Sequence, residues 1–128
     1  MIIQIRNLAM HPRGSPRLCM YDWECTTIHI PQRDLVELLS YIMRPDVGEN
    51  EIHHYHKLYY DTFELTHPGA FDWAEFLEGC LYALHDYQID RLAQQLALHK
   101  VITRVDIERV FKTSRRLLGF LQKQVAAV

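Results

Sequence analysis

Two stretches of this 128-residue chain repeat one design: an apolar residue, a capping residue, two variable positions, an acid and a second apolar residue. Phe71-Asp72-Trp73-Ala74-Glu75-Phe76 is the first and Ile102-Thr103-Arg104-Val105-Asp106-Ile107 the second. The short oxygen-bearing side chain of Asp72 or Thr103 can accept from an orphan amide of the first helical turn. Glu75 or Asp106 then sits near the positive helix end, and the flanking apolar pair can close a staple. Two helix starts are thereby marked, and they divide the second half of the chain into helical units joined by short turns. No catalytic motif accompanies them.

The remaining pattern extends this reading. After Pro31, Leu35, Leu38, Leu39 and Ile42 recur at helical spacing until Pro45. Asn50 is expected to cap a second helix carrying Ile52, Tyr55, Tyr59, Thr62 and Phe63, ended by His67-Pro68-Gly69. From Trp73 the stripe Phe76, Leu77, Cys80, Leu81 and Leu84 continues to Ile89, Leu92 and Leu96, with residues 85–88 a bend or an exposed turn. The last helix, from Thr103 to about Val125, places Ile107, Val110, Phe111, Ser114, Leu117, Leu118 and Leu121 on one side. Residues 1–6 and 18–30 read as extended, joined through the proline- and glycine-bearing segment 11–16. The expected class is α+β and mainly helical: an N-terminal β-hairpin, or paired extended segment, packed on about four helices. The length suits a single domain over residues 1–128, burying roughly two thirds of its unfolded surface.

Hydrophobic residues at 48% and charged residues at 23% exclude wholesale disorder. The N-terminal apolar run breaks at Arg6, too short for a signal-peptide core or a membrane span. Cys19, Cys25 and Cys80 form no even-numbered framework, so free thiols in a reducing, cytoplasmic setting are expected, with no membrane association. Net charge is −2, but residues 1–99 hold 7 Lys/Arg against 14 Asp/Glu and residues 100–128 hold 7 against 2. Such asymmetry marks an anionic partner or an acidic body that holds its own basic helix.

Catalytic and metal chemistries find little support. His53 and His56 are spaced to meet across one helical turn, with His54 between them, yet no further ligand completes a site; a tyrosine-faced helix with solvated histidines is the simpler reading. Cys80 lies in an apolar stripe, where a thiol is inert. Asp72 with Glu75, and Asp86 with Asp90, read as caps or surface charges. The five glycines are too dispersed to cradle phosphate. No enzyme activity, cofactor or metal is expected.

Read as a twelve-residue loop, residues 64–75 carry glycine at the sixth place, an apolar residue at the eighth and a glutamate at the twelfth, with Phe63 before and Phe76-Leu77 after. This resembles an EF-hand, and the stretch around residues 102–107 resembles the latter half of a second unit. The resemblance implies a helix–loop–helix pair. Calcium needs side-chain oxygens that such loops supply at the third and fifth places, and Pro68 offers none, so a degenerate, calcium-incompetent unit is implied.

On the final helix Arg109, Lys112, Arg116 and Lys123 fall within a narrow sector opposite the expected apolar stripe, with Phe120 beside them. If the stripe packs inward, these five residues form a partner-binding face. The expected function is that of a small non-enzymatic adaptor or regulatory protein acting through protein–protein interaction, self-association included. The alternative is nucleic-acid binding through the same basic face, with Arg104 and Arg115 widening the footprint. A helix-turn-helix reading fits less well, because Asp106 and Glu108 stand where base contacts belong.

Overall fold

The computed structural model describes residues 8–11, 17–20, 30–91, 93 and 104–127. Helix α1 (Gln32–Ile42) follows Pro31, whose φ of −62° is already helical. It stops where Met43 turns extended and its N–H reaches back to Leu39 O at 3.0 Å. Its buried arc centres on Val36, Leu39 and Met43. Ile42 is turned to solvent and Leu38 is half-buried, so the inward row is rotated from the expected one.

Helix α2 (Glu49–Thr66) begins at Gly48 rather than Asn50. The Gly48 carbonyl accepts from the amides of Glu51 and Ile52, both at 3.1 Å, and Glu49 and Glu51 then stand in the positive first turn. Its inward row is Ile52 and His56, followed by half-buried Tyr59, Tyr60 and Phe63; Tyr55 and Thr62 face outward. Gly69, at φ 70°, makes the turn after the helix, a conformation that side chains rarely adopt.

Helix α3 (Trp73–Asp86) starts with the anticipated capping box: Asp72 Oδ1 accepts from Glu75 N and Glu75 Oε2 from Asp72 N, each at 2.8 Å. Phe71, the outer member of the expected staple, stacks on Phe63 at 5.2 Å. The polar patch after Leu84 is no exposed turn. The helix runs on through a π-helical stretch, Tyr87–Arg91, with Tyr87 in the core and Ile89 outside. Helix α4 spans Arg104–Ala126; the expected cap Thr103, and Leu92 and Leu96, lie outside the described residues.

Helices α1, α3 and α4 pack mutually around Leu39, Phe76, Leu84, Leu117 and Leu121. A salt bridge from Arg33 to Asp86, 2.7 Å, ties α1 to the end of α3. Helix α2 leans on this body through aromatic rings: Tyr60 meets Trp73 at 5.2 Å and Phe76 at 5.3 Å.

The α+β expectation is corrected to a mainly helical fold. From residue 30 onward the described residues hold helices and turns, with no sheet layer against them. Leu8–His11 and Arg17–Met20 run antiparallel, with Leu8 opposite Met20. Two strands of four residues make no layer that a core is built on. The extended segments expected over residues 1–6 and 21–29 lie outside the described residues.

At Gly79, α3 passes so close to α1 that an added Cβ would stand 2.7 Å from Nε2 and 2.9 Å from Cδ of the buried Gln32. The near atoms belong to the end of the Gln32 side chain, which must shift, so Gly79→Ala should lower stability by about 0–2 kcal/mol, the overpacking cost less the helix-propensity gain. In a Gln32→Ala background the same change should be neutral or raise stability by up to ~1 kcal/mol, its usual helix-propensity gain. Urea titration of the four species checks both values.

Candidate functional site

The C-terminal helix positions the residues that the sequence singles out. Ile107, Val110, Ser114, Leu117 and Leu121 recur at alternating steps of three and four and are buried, flanked on one side by Thr113 and Phe120. The buried sector is thus rotated toward the cations, and Phe111, expected inside, is exposed. Phe120, expected to contact a partner, is only 3% exposed and lies with its ring 5.8 Å from His56. It belongs to the core that joins α4 to α2.

The same rotation brings the cationic row over the end of α1 and the connection to α2. Arg109 Nη1 donates to Tyr41 O at 2.8 Å and reaches Met43 O at 3.4 Å. One turn on, the Thr113 hydroxyl lies 3.0 Å from Arg109 O and 3.3 Å from Met43 O, sharing its single proton between them. Arg116 Nε donates to Val47 O at 3.1 Å, and Lys123 Nζ pairs with Glu49 Oε1 at 2.7 Å, which holds the Glu49 carboxyl below its usual range. Residues 109, 113, 116 and 123 therefore engage 41, 43, 47 and 49 in the same chain direction. Helix α1 has no basic residue in its last turn, and Arg109 supplies the cation that its negative end and orphan carbonyls favour. Of the basic residues chosen from sequence, Lys112 stands on the open side of α4, next to Arg115.

The histidines do not converge. His56 is fully buried, contrary to the solvated role expected of it; its Nδ1 hydrogen-bonds Ile52 O at 2.8 Å, and burial pushes its pKa down to about 4. His53 lies edge-on to Trp73 and His54 to Tyr55. Among the described residues no group of three or more His, Cys, Asp or Glu is placed to hold a metal ion. In the EF-hand-like loop, Glu64 Oε1 accepts from Gly69 N at 2.6 Å, so the carboxylates at both loop ends, Glu64 and Glu75, bind loop amides.

The other perturbed groups are packed away. Burial raises the Cys80 thiol far above its ordinary value, which removes the thiolate needed of a nucleophile. Tyr59 is pushed up to about 12, first by burial and then by Asp34, and its hydroxyl donates to Pro31 O at 3.0 Å.

A surface that sequence reasoning overlooked lies on α2. Tyr55, Leu58, Thr62 and Leu65 recur at steps of three, four and three along its outer side, and Leu58 is 53% and Leu65 83% exposed. On α3 and the π-helical turn, Tyr82 and Ile89 are 71% and 74% exposed. The signal was present as a second apolar periodicity, one step out of phase with Ile52, His56, Tyr59 and Phe63. No protein-family model, curated protein or solved structure matches this chain.

Two outcomes follow from these placements. Arg109→Ala should destabilise the fold by about 1–3 kcal/mol, the worth of charge-assisted bonds to carbonyls, with the urea m-value unchanged. For His56, the unfolded chain takes up a proton near pH 6.5 and the folded chain only near pH 4. Its contribution to stability is intact above pH 6.5 and declines by up to about 1.4 kcal/mol per pH unit as the pH falls toward 4. Replacing it by Met should flatten this part of the stability–pH curve, measured by chemical denaturation at stepped pH.

Proposed function

We propose that this chain is a small non-enzymatic adaptor or regulatory protein acting through protein–protein contact, self-association included. The observation that carries this reading is the outward row on α2. Isolated exposed apolar residues are ordinary, but Tyr55, Leu58 and Leu65 lie on one helix face, and grouped apolar exposure marks interaction surfaces. The withdrawal of Cys80, Tyr59 and His56 from solvent agrees with a non-enzymatic role. No described helix is long and apolar enough to cross a membrane. A cytoplasmic setting belongs to the same proposal and is supported by the free, buried Cys80.

The alternative, nucleic-acid binding, draws on Lys112 and Arg115, both exposed on the open side of α4. Arg109, Arg116 and Lys123 already have partners within the chain. Two open cations give a shallow dependence of binding on salt, a log–log slope of about −2.

A pull-down with the intact chain as bait, in nuclease-treated extract at moderate salt, tests the reading. A stoichiometric protein partner that is lost with Leu58→Glu or Tyr82→Glu supports it. Recovery of nucleic acid alone, with a log–log salt slope of about −2 that is abolished by Lys112→Glu and Arg115→Glu, replaces it with the alternative.

A further inference from the structure

We propose that the corner between Tyr60 and Trp73 binds a trimethylated ammonium, that of a methylated lysine on a protein partner, and that the chain's own Lys57 fills this corner in the free protein. The site deepens the interaction reading by naming the chemistry of a partner. It lies on a different side of α2 from Leu58, so the two fail separately.

The corner is built from two elements. Tyr60 of α2 and Trp73, the first residue of α3, meet at 5.2 Å with their ring planes 76° apart. Both rings are held in place. The Tyr60 hydroxyl donates to Phe71 O at 3.2 Å, and Trp73 stacks on the fully buried Phe76 at 5.6 Å. His53, on the same row of α2 as Lys57 and Tyr60, brings a third ring to within 5.8 Å of Trp73.

A cation already stands there. Lys57 Nζ lies 5.4 Å from the centre of the Tyr60 ring and 5.9 Å from that of Trp73, and it pairs with Asp61 Oδ1. Aromatic rings around one ammonium are the means by which methylated ammonium ions are recognised, and Asp61 adds a carboxylate. Lys57 is a poor occupant of such a site. Its primary ammonium is compact and strongly hydrated, its side chain stays 47% exposed, and exposed contacts of this kind contribute little. A trimethylated ammonium spreads its charge over methyl groups, sheds water at less cost and covers more of both rings. Displacing Lys57 into solvent therefore costs less than the incoming group gains.

The surrounding charge selects among sources of this ion. Asp61 and Glu64 follow Tyr60 on α2, Asp72 and Glu75 flank Trp73 on α3, and Lys57 is the basic residue between them. Such a setting attracts a basic peptide and opposes the phosphate that accompanies choline in a lipid head group.

Titration of the full chain, followed by nuclear magnetic resonance at the Trp73 indole, tests this. The probes are a basic peptide carrying one trimethyllysine, the same peptide with unmodified lysine, and the same peptide with the uncharged tert-butyl isostere. The trimethyllysine peptide should bind roughly tenfold tighter than either control. Lys57→Ala should strengthen its binding roughly three- to tenfold by removing the resident cation. In that background Asp61→Asn should weaken it several-fold. Lys57 and Asp61 are exposed, and circular dichroism verifies that both variants are folded. Equal binding of the trimethyllysine and tert-butyl peptides overturns the cation site, as does an absence of binding to Lys57→Ala. Binding that Lys57→Ala leaves unchanged overturns the role of Lys57 as occupant. A response to phosphatidylcholine vesicles without one to the peptide overturns the assignment to a protein partner. The pull-down with Leu58→Glu decides the broader interaction reading independently of all these outcomes.

Discussion

The contact on which the rest of the structure depends is that between the C-terminal helix and the carbonyls at the end of the first. Arg109, Thr113, Arg116 and Lys123 meet residues 41 to 49 in order, so α4 acts as a long splint along the end of α1 and the connection to α2. A helix end leaves carbonyls without intrahelical donors, and buried orphans of that kind are costly. Here the donors come from a helix some seventy residues away in the chain. The ladder closes the three-helix body and fixes where α2 departs. It also changes the meaning of the C-terminal positive charge, much of which neutralises the chain's own dipoles and one of its own carboxylates.

Helix α2 is held differently. Only Ile52 and His56 are fully buried on it, and its grip comes from rings: Tyr59 and Tyr60 on Phe76, Tyr60 on Trp73, Phe63 on Phe71. Lys57 adds a cation 5.4 Å from the Tyr60 ring. Aromatic contacts along one side of an 18-residue helix leave the opposite side open, and that side carries a regular apolar row. The interaction reading grows from this asymmetry: a helix attached along one edge, with its other edge patterned for a neighbour.

The groups capable of chemistry tell the complementary story. Cys80, His56 and Tyr59 are the described residues whose proton affinities depart most from ordinary values, and burial is the leading cause for each. A group tuned for catalysis couples such a shift to a cleft and a partner charge. His56 instead donates to a carbonyl one turn back in its own helix and faces Phe120. Its effect is structural, linking the packing of α2 on α4 to acid.

The sequence by itself determined the elements whose causes are local. The Asp72–Glu75 box, the stop at His67-Pro68-Gly69 and the start after Pro31 all lie where short-range hydrogen bonds and proline or glycine geometry put them. The helical inner face Phe76, Leu77, Cys80 and Leu84 was legible for the same reason, because a single periodicity dominates there. Tertiary structure alone decided the rotation of the helices. In α1, α2 and α4 two apolar rows compete, and the winner is the row that meets a neighbour: His56 is inside in place of Tyr55, Phe120 in place of Phe111. Once Phe120 turned inward, Arg109 and Arg116 were carried to the edge of the buried face and found carbonyls distant in sequence. Spacing along one helix shows which residues share a side; what that side meets depends on how the other helices pack against it.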